Sequence, residues 1–408
     1  MAMSNLRVGV LAALLCSIVT PGQNPVGLTV EQALQLRQVA NPQLGEDFVA
    51  FNLVVPRPLA DGPGGSYLHL GVIDGLKALG ADSKPVPRWL VTGKDSARSM
   101  AVRPGSREVS FLRAVDGVQQ LFVQSIASGE AQRWAETQAV VAYRWRRDGK
   151  AIAFTVLDAM PEPRAAAQER GFEQVVVDED WRHLSLWWCE EGAPPKRLTE
   201  GTTVFGFEWS PDGTKLACAC APKNLVDDSY MFERLHLLDV ATRQLALLVD
   251  NPGKLGPFAW EPDGKRVAYV SAADRNDPHA GTLYAVDVES HEVEVLTFGL
   301  LGMVEGVQTT SQGLMLRESL GVRSRLRQLC PDRTKNWMVR PQNMSLAMHD
   351  AVADGERVVF AGSTSTHPAE LFVAPVAGAS SGPEVPGLQR LTDSNPELAG
   401  KALGTQRV

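Results

Sequence analysis

Residues 207–219 read FEWSPDGTKLACA. An aromatic residue and Trp209 precede Asp212-Gly213, and alternating apolar residues follow. Asp-Gly supplies the positive φ that a tight turn between antiparallel strands needs. The alternation after the turn marks a strand with a buried face. Trp209 is a large apolar plug suited to packing between adjacent sheets. The same unit recurs at 143–155 (YRWRRDGKAIAFT, with Trp145, Asp148 and Gly149) and at 258–271 (FAWEPDGKRVAYVS, with Trp260, Asp263 and Gly264). Weaker copies lie at 100–112, 308–316 and 349–361, with a degenerate first copy, GEDFVAF, at 45–51. A further strand signal follows most turns, as in LFVQS (121–125), LHLLD (235–239), LYAVD (283–287) and LFVAPV (371–376). A fourth apolar run then closes on a recurring Leu-Thr, at Leu198-Thr199, Leu296-Thr297 and Leu391-Thr392. The turn glycines are spaced 42 to 64 residues apart. Four short strands repeated at that period predict an all-β chain, a seven-bladed β-propeller of four-stranded antiparallel blades spanning about 46–398.

Around this core the chain has 408 residues, 44% apolar and 21% charged, with 40 Lys+Arg against 47 Asp+Glu. A net charge of −7 leaves no basic surplus for phosphates and argues against a general nucleic-acid binder. Arg7 followed by VGVLAALLCSIV (8–19) and Thr20-Pro21-Gly22 reads as an export signal over 1–22, so a periplasmic or extracellular location is expected. No later window is apolar enough to span a bilayer. Residues 23–45 read as a lead-in, in which TVEQALQLRQV (29–39) predicts a short helix with Thr29 and Gln32 as a capping box. Residues 399–408 form a tail. Cys189, Cys218, Cys220 and Cys330 are no disulfide framework. Cys218 and Cys220 share one face of a strand and read as buried small hydrophobes, because no histidine or second cysteine pair stands at zinc spacing.

An insertion at 157–181 lengthens the third unit. It holds AAAQERGF (165–172), read as helical, and an acidic group, Asp178, Glu179 and Asp180, beside Trp181. Long insertions of this kind are functional sites or interfaces. These four residues are therefore the candidate substrate or partner contacts, with a solvated acidic loop as the alternative.

The W-[SE]-P-D-G hairpins, the opening TVEQALQLRQVANPQLGEDFVAF (29–51), the stretch ADGERVVFAGSTSTHPAELFVAPV (353–376) and the close RLTDSNPEL (390–398) resemble the propeller of the prolyl oligopeptidase family of serine peptidases. The acylaminoacyl-peptidase and dipeptidyl-peptidase branches are the most similar. In that family such an ending stands just before a catalytic α/β-hydrolase domain. The resemblance implies a substrate-gating domain for peptide hydrolysis, whose partners are peptides and a hydrolase domain or protein. The family chemistry needs a serine elbow, an acid and a histidine in that order. GASSG (378–382) fits the elbow string around Ser380, but it sits in a Gly/Ser/Pro loop, and the last histidine, His367, precedes it. The expectation is therefore a chain without catalytic residues, cofactor or metal. The rival reading is a free-standing TolB- or WD40-like propeller acting as a protein scaffold.

Overall fold

The structure is a computed structural model that describes residues 27–62, 64–80, 83–127, 129–134, 139–176, 178–277, 279, 281–330, 338–339, 346–376 and 387–403. The export signal and the GASSG string lie outside the described residues. The described chain forms seven four-stranded antiparallel sheets, each from one continuous stretch of sequence. The blades are blade 1 (38–91), blade 2 (98–133), blade 3 (140–197), blade 4 (203–249), blade 5 (255–295), blade 6 (303–339) and blade 7 (347–390). The four strands of each blade, a to d from the axis outwards, follow chain order. The seven-bladed propeller expected from the repeat is the fold observed.

Packing explains why the repeat has this form. Strand side chains alternate between faces, and each blade has a neighbour on both. In blade 5, Ala259 packs towards blade 6 while Trp260 packs towards blade 4. The buried apolar residues accordingly fall into seven clusters, each straddling one seam between consecutive blades. One of the seven joins blade 7 to blade 1 and closes the wheel.

The Asp-Gly turns follow one plan. Gly149, Gly213 and Gly264 have φ of 67°, 71° and 73° and donate back to the carbonyls of Arg146, Ser210 and Glu261. The aspartates carry no positive φ; each accepts an N–H two residues on, as Asp148 does from Lys150 and Asp263 from Lys265, both at 3.0 Å. The left-handed conformation thus falls on the glycine alone. A Cβ on Gly149 would stand 2.4 Å from Pro104 O, so the blade 3 turn lies directly against the blade 2 turn. The Leu-Thr closures also repeat. Thr199, Thr297 and Thr392 each accept an N–H at 2.9 Å from strand c, at Leu186, Leu283 and Leu371. Each preceding leucine donates to that same residue's carbonyl.

Three boundaries differ from the sequence expectations. Strand a of blade 1 is Gln38–Leu44, inside the segment read as a lead-in. Its pattern is masked by Pro42 and by a bulge at Asn41, whose φ is 50°. The helix expected over 29–39 is cut to α1 (Val30–Leu34), with the Thr29–Gln32 capping box present, because the chain must already enter that strand. The insertion helix α2 is Glu162–Glu169, starting earlier than AAAQERGF and stopping before Gly171 (φ 89°).

Candidate functional site

The axial channel and its two mouths are the places where this fold gathers side chains from several blades. Strand a of every blade carries a register shift in its pairing with strand b. An extra residue bends the strand and re-aims its side chains. Val141, Phe205 and Glu305 are the extra residues in blades 3, 4 and 6. In blade 7 the shift spans His349 and Asp350. Seven bulges at matching positions place a ring of irregular backbone around the axis. Several charged side chains around it have local partners. Arg144 Nε donates to Glu208 Oε1 of the next blade at 2.9 Å. Glu305 is held by Arg317 and Ser319, and Asp350 accepts the Asn41 N–H at 3.0 Å.

The three repeat tryptophans stand at the end of strand a and reach back across a seam. Trp209 Nε1 donates to Arg144 O at 3.1 Å, and Trp260 Nε1 to Glu208 O at 3.0 Å. Trp145 Nε1 donates to Ser110 Oγ at 2.8 Å and packs edge-on to Trp134. All three also line a cavity of about 470 Å³ at the channel mouth, together with Glu208, Gln308 and Thr309. Thr309 occupies the tryptophan position of blade 6 and donates to Trp260 O at 2.7 Å.

Up-and-down blades send their connections alternately to two faces. The a–b and c–d turns share one, the hairpin face; the b–c and d–a connections share the other, the connection face. The hairpin face is laced with ion pairs. Arg103 meets Glu108 (3.0 Å) and Glu191 (2.6 Å), Arg146 meets Asp148 (2.9 Å), and Arg266 meets Glu261 (2.7 Å) and Glu294 (2.8 Å). The connection face carries ion pairs too, such as Lys94–Asp61 (2.6 Å) and Arg234–Asp250 (2.7 Å), but it differs in its apolar exposure. Leu59, Phe172, Tyr230, Phe232, Phe298 and Leu301 all project from its loops, and Phe298 and Leu301 are 92% and 91% exposed. Among the described residues, the only exposed large apolar side chain in the hairpin-face turns is Val86.

The insertion leaves blade 3 on the connection face, between strands b and c. Asp178 and Glu179 are exposed there. Asp180 is occupied: it accepts the Val176 N–H at 2.9 Å and pairs with Arg164 at 3.3 Å. Trp181 packs edge-on to His183, with ring centroids 4.8 Å apart. Among the four candidate contacts, Asp178 and Glu179 are the exposed carboxylates, while Asp180 and Trp181 shape the loop.

In the sequence His349, Asp350 and Asp354 read as part of a blade hairpin, and the structure adds two groupings around histidines. His349 Nε2 lies 2.8 Å from Ser363 Oγ. Among the described residues no carboxylate lies within ion-pair distance of that imidazole, so the serine lacks an oriented base. Asp354 belongs to the blade 7 turn, where it accepts the N–H groups of Glu356 and Arg357. His367, Glu370 and Asp393 converge with ligand atoms within 4.8 Å of one another. The Arg390 guanidinium sits among them, 2.7 Å from His367 Nε2 and 2.8 Å from Asp393 Oδ1. A resident cation there excludes a second one. The distance between these residues in sequence hid both groupings.

No protein-family model matches the sequence, and no curated protein is detectably similar to it. Solved structures do match. The chain is similar to Pyrococcus horikoshii acylaminoacyl peptidase at a TM-score of 0.64 and 13% identity, over 90% of this chain and 54% of that one. It is similar to the β-propeller domain of the trilobed protease from Pyrococcus furiosus at a TM-score of 0.59 and 13% identity, over 90% and 99% of the two chains. A prolyl endopeptidase matches at a TM-score of 0.59 and 15% identity, over 88% and 50%. The chain thus spans about half the length of the two peptidases. At these identities the likeness is one of fold: this is a propeller of the kind those peptidases carry.

Proposed function

We propose that this chain is a non-catalytic propeller that recognises short or unfolded peptides and admits them to a peptide-hydrolysing body seated on its connection face. The contrast between the two faces carries the reading. Among the described residues, the hairpin-face turns expose one large apolar side chain, Val86, while the connection face presents Phe298, Leu301, Tyr230 and Phe232 to solvent. Apolar side chains concentrated on one face of a soluble protein mark a surface for a partner. Both ends of the described chain leave on that same face, since strand a begins there and strand d ends there. The mouth of about 470 Å³, at the hairpin-face ends of the innermost strands and lined by three tryptophans with Glu208, Gln308 and Thr309, suits an extended peptide better than a folded domain.

The test uses the purified chain with a serine-directed fluorophosphonate probe and a set of fluorogenic short peptides. The expected result is no labelling and no cleavage, together with saturable anisotropy changes for short unstructured peptides and none for folded proteins. Specific labelling of Ser380 with accompanying cleavage contradicts the non-catalytic reading. Absence of peptide binding contradicts the recognition role.

A further inference from the structure

The seam between blades 7 and 1 is packed by an apolar cluster, but towards the rim it opens into a cavity. Strand d of blade 7 is only Gln389–Arg390, across the seam from strand d of blade 1, Arg88–Val91. The cavity measures about 660 Å³ and shares no lining residue with the one at the channel mouth. Its floor is apolar, formed by the buried side chains of Phe51, Leu53 and Leu391. Trp89 makes one wall, 40% exposed, its ring edge-on to Phe51 with centroids 5.8 Å apart. Gly71 is what lets the two rings meet. It pairs with Phe51 on one side and with Trp89 on the other. A Cβ there would stand 2.8 Å from the Phe51 ring and 2.9 Å from the Trp89 ring.

The facing wall is the end of the blade 1 c–d turn, Pro85-Val86-Pro87. Two prolines with fixed φ stiffen it. The turn is tied across the seam, since Gln389 Nε2 donates to Gly80 O at 3.2 Å and to Ser83 O at 2.6 Å. Val86, the exposed apolar residue of the hairpin-face turns, therefore stands at the lip of this cavity. The charged residues of the lining are Arg37, Lys84, Arg390 and Asp393. Arg390 and Asp393 neutralise each other at 2.8 Å. Arg37 Nη1 donates to Ser394 O at 3.3 Å. Among the described residues, no carboxylate lies within ion-pair distance of Arg37 or Lys84. The cavity thus carries two uncompensated positive charges in a chain of net charge −7.

We propose that this cavity binds a small amphipathic carboxylate. An aromatic or branched apolar body would lie against Phe51, Trp89 and the prolines, with the carboxylate held by Arg37 and Lys84. The volume falls within the range of about 300–1,000 Å³ typical of small-molecule sites, which combine an apolar lining with a few polar groups. A guanidinium can meet a carboxylate with two parallel N–H bonds. A sugar or a bare phosphate would leave the apolar floor uncovered, and a neutral ligand would leave the charges unmatched. The free acid and the C-terminus of a peptide ending in an apolar residue share this chemistry. The inference stands apart from the peptide-handling proposal, because neither the channel mouth nor the connection-face loops enter it.

The experiment titrates the purified full chain with 2-naphthylacetate and with 4-phenylbutyrate by calorimetry, beside the neutral 2-naphthylacetamide. Saturable binding of about one molecule per chain is expected for at least one acid. Loss of a hydrogen bond to a charged group corresponds to about tenfold or more in affinity. The amide is therefore expected to bind at least that much more weakly, and so is the acid to the Arg37→Gln/Lys84→Gln double variant. Val86→Asp, which places a negative charge at the lip, should weaken the acid similarly, whereas Val322→Asp in blade 6 should not. Gly-Gly-Phe and its C-terminal amide separate the two sources. Tighter binding of the free peptide than of either acid assigns the site to peptide ends, and weaker binding assigns it to free acids. Three results would overturn the site: no saturable binding of either acid, equal affinity for acid and amide, or wild-type affinity in both Val86→Asp and the double variant. The acid and amide comparison uses the wild-type chain, so a variant that fails to fold leaves the inference open to refutation.

Discussion

Trp260 and Trp145 occupy equivalent positions in the repeat but not equivalent environments. Trp260 is 2% exposed and bonded to Glu208 O, whereas Trp145 is half-buried under Arg103. Truncating a buried tryptophan costs about 3–5 kcal/mol. Trp260→Ala is expected to fall in that range and Trp145→Ala clearly below it, as read by urea denaturation. Asp212 shows a second residue-level effect. The Ser210 hydroxyl and the Thr214 N–H donate to its carboxylate and hold its pKa below the ordinary aspartate value. A depressed folded-state pKa adds stability that is present above the unfolded-state value and is lost as pH falls through the folded one. Asp212→Asn should therefore destabilise at neutral pH and converge with the wild type on acidification below the ordinary carboxylate range; parallel curves throughout would contradict this. The role of Asp-Gly was legible in sequence because turn geometry is local. Which tryptophan is sealed was not, because that depends on the neighbouring blade.

At the scale of the element, the Leu-Thr closure is a clip rather than a strand end. Strand d of blade 5 is only Val293–Val295, and Thr297 beyond it holds the Leu283 N–H at 2.9 Å. Thr297→Val keeps the shape and removes the acceptor. A buried donor left unpaired costs about 1–3 kcal/mol. A loss of that size, with faster exchange of the Leu283 amide, is expected. The recurrence of Leu-Thr marked the outer strand in the sequence, but its hydrogen bonds became visible only once strand c lay beside it.

The whole molecule is a wheel closed without an exchanged strand, since every sheet comes from one continuous stretch. Blades 1 and 7 meet through an apolar cluster and a two-bond clamp. Asn395 Oδ1 accepts the Arg37 N–H at 2.8 Å, and its Nδ2 donates to Arg37 O at 2.9 Å. Asn395→Ala leaves both Arg37 groups unpaired. Faster amide exchange in Gln38–Leu44 and in blade 7, with blade 4 unaffected, is the expected outcome. Uniform acceleration across all blades would mean the seam is no weaker than the rest. The wheel itself was legible from seven turn glycines recurring every 42 to 64 residues. The clamp joins residues 358 apart and lies beyond any repeat. The contrast between the faces was equally hidden, because it appears only when alternate loops are assigned to opposite sides. Hydrogen–deuterium exchange of the purified chain, with and without saturating short unstructured peptides, bears on the functional account most directly. Slowed exchange confined to the innermost strands around the channel, including Val140–Trp145, Thr203–Trp209 and Met303–Thr310, is the expected result. Unchanged exchange in those strands, or protection restricted to the outer strands, would contradict it.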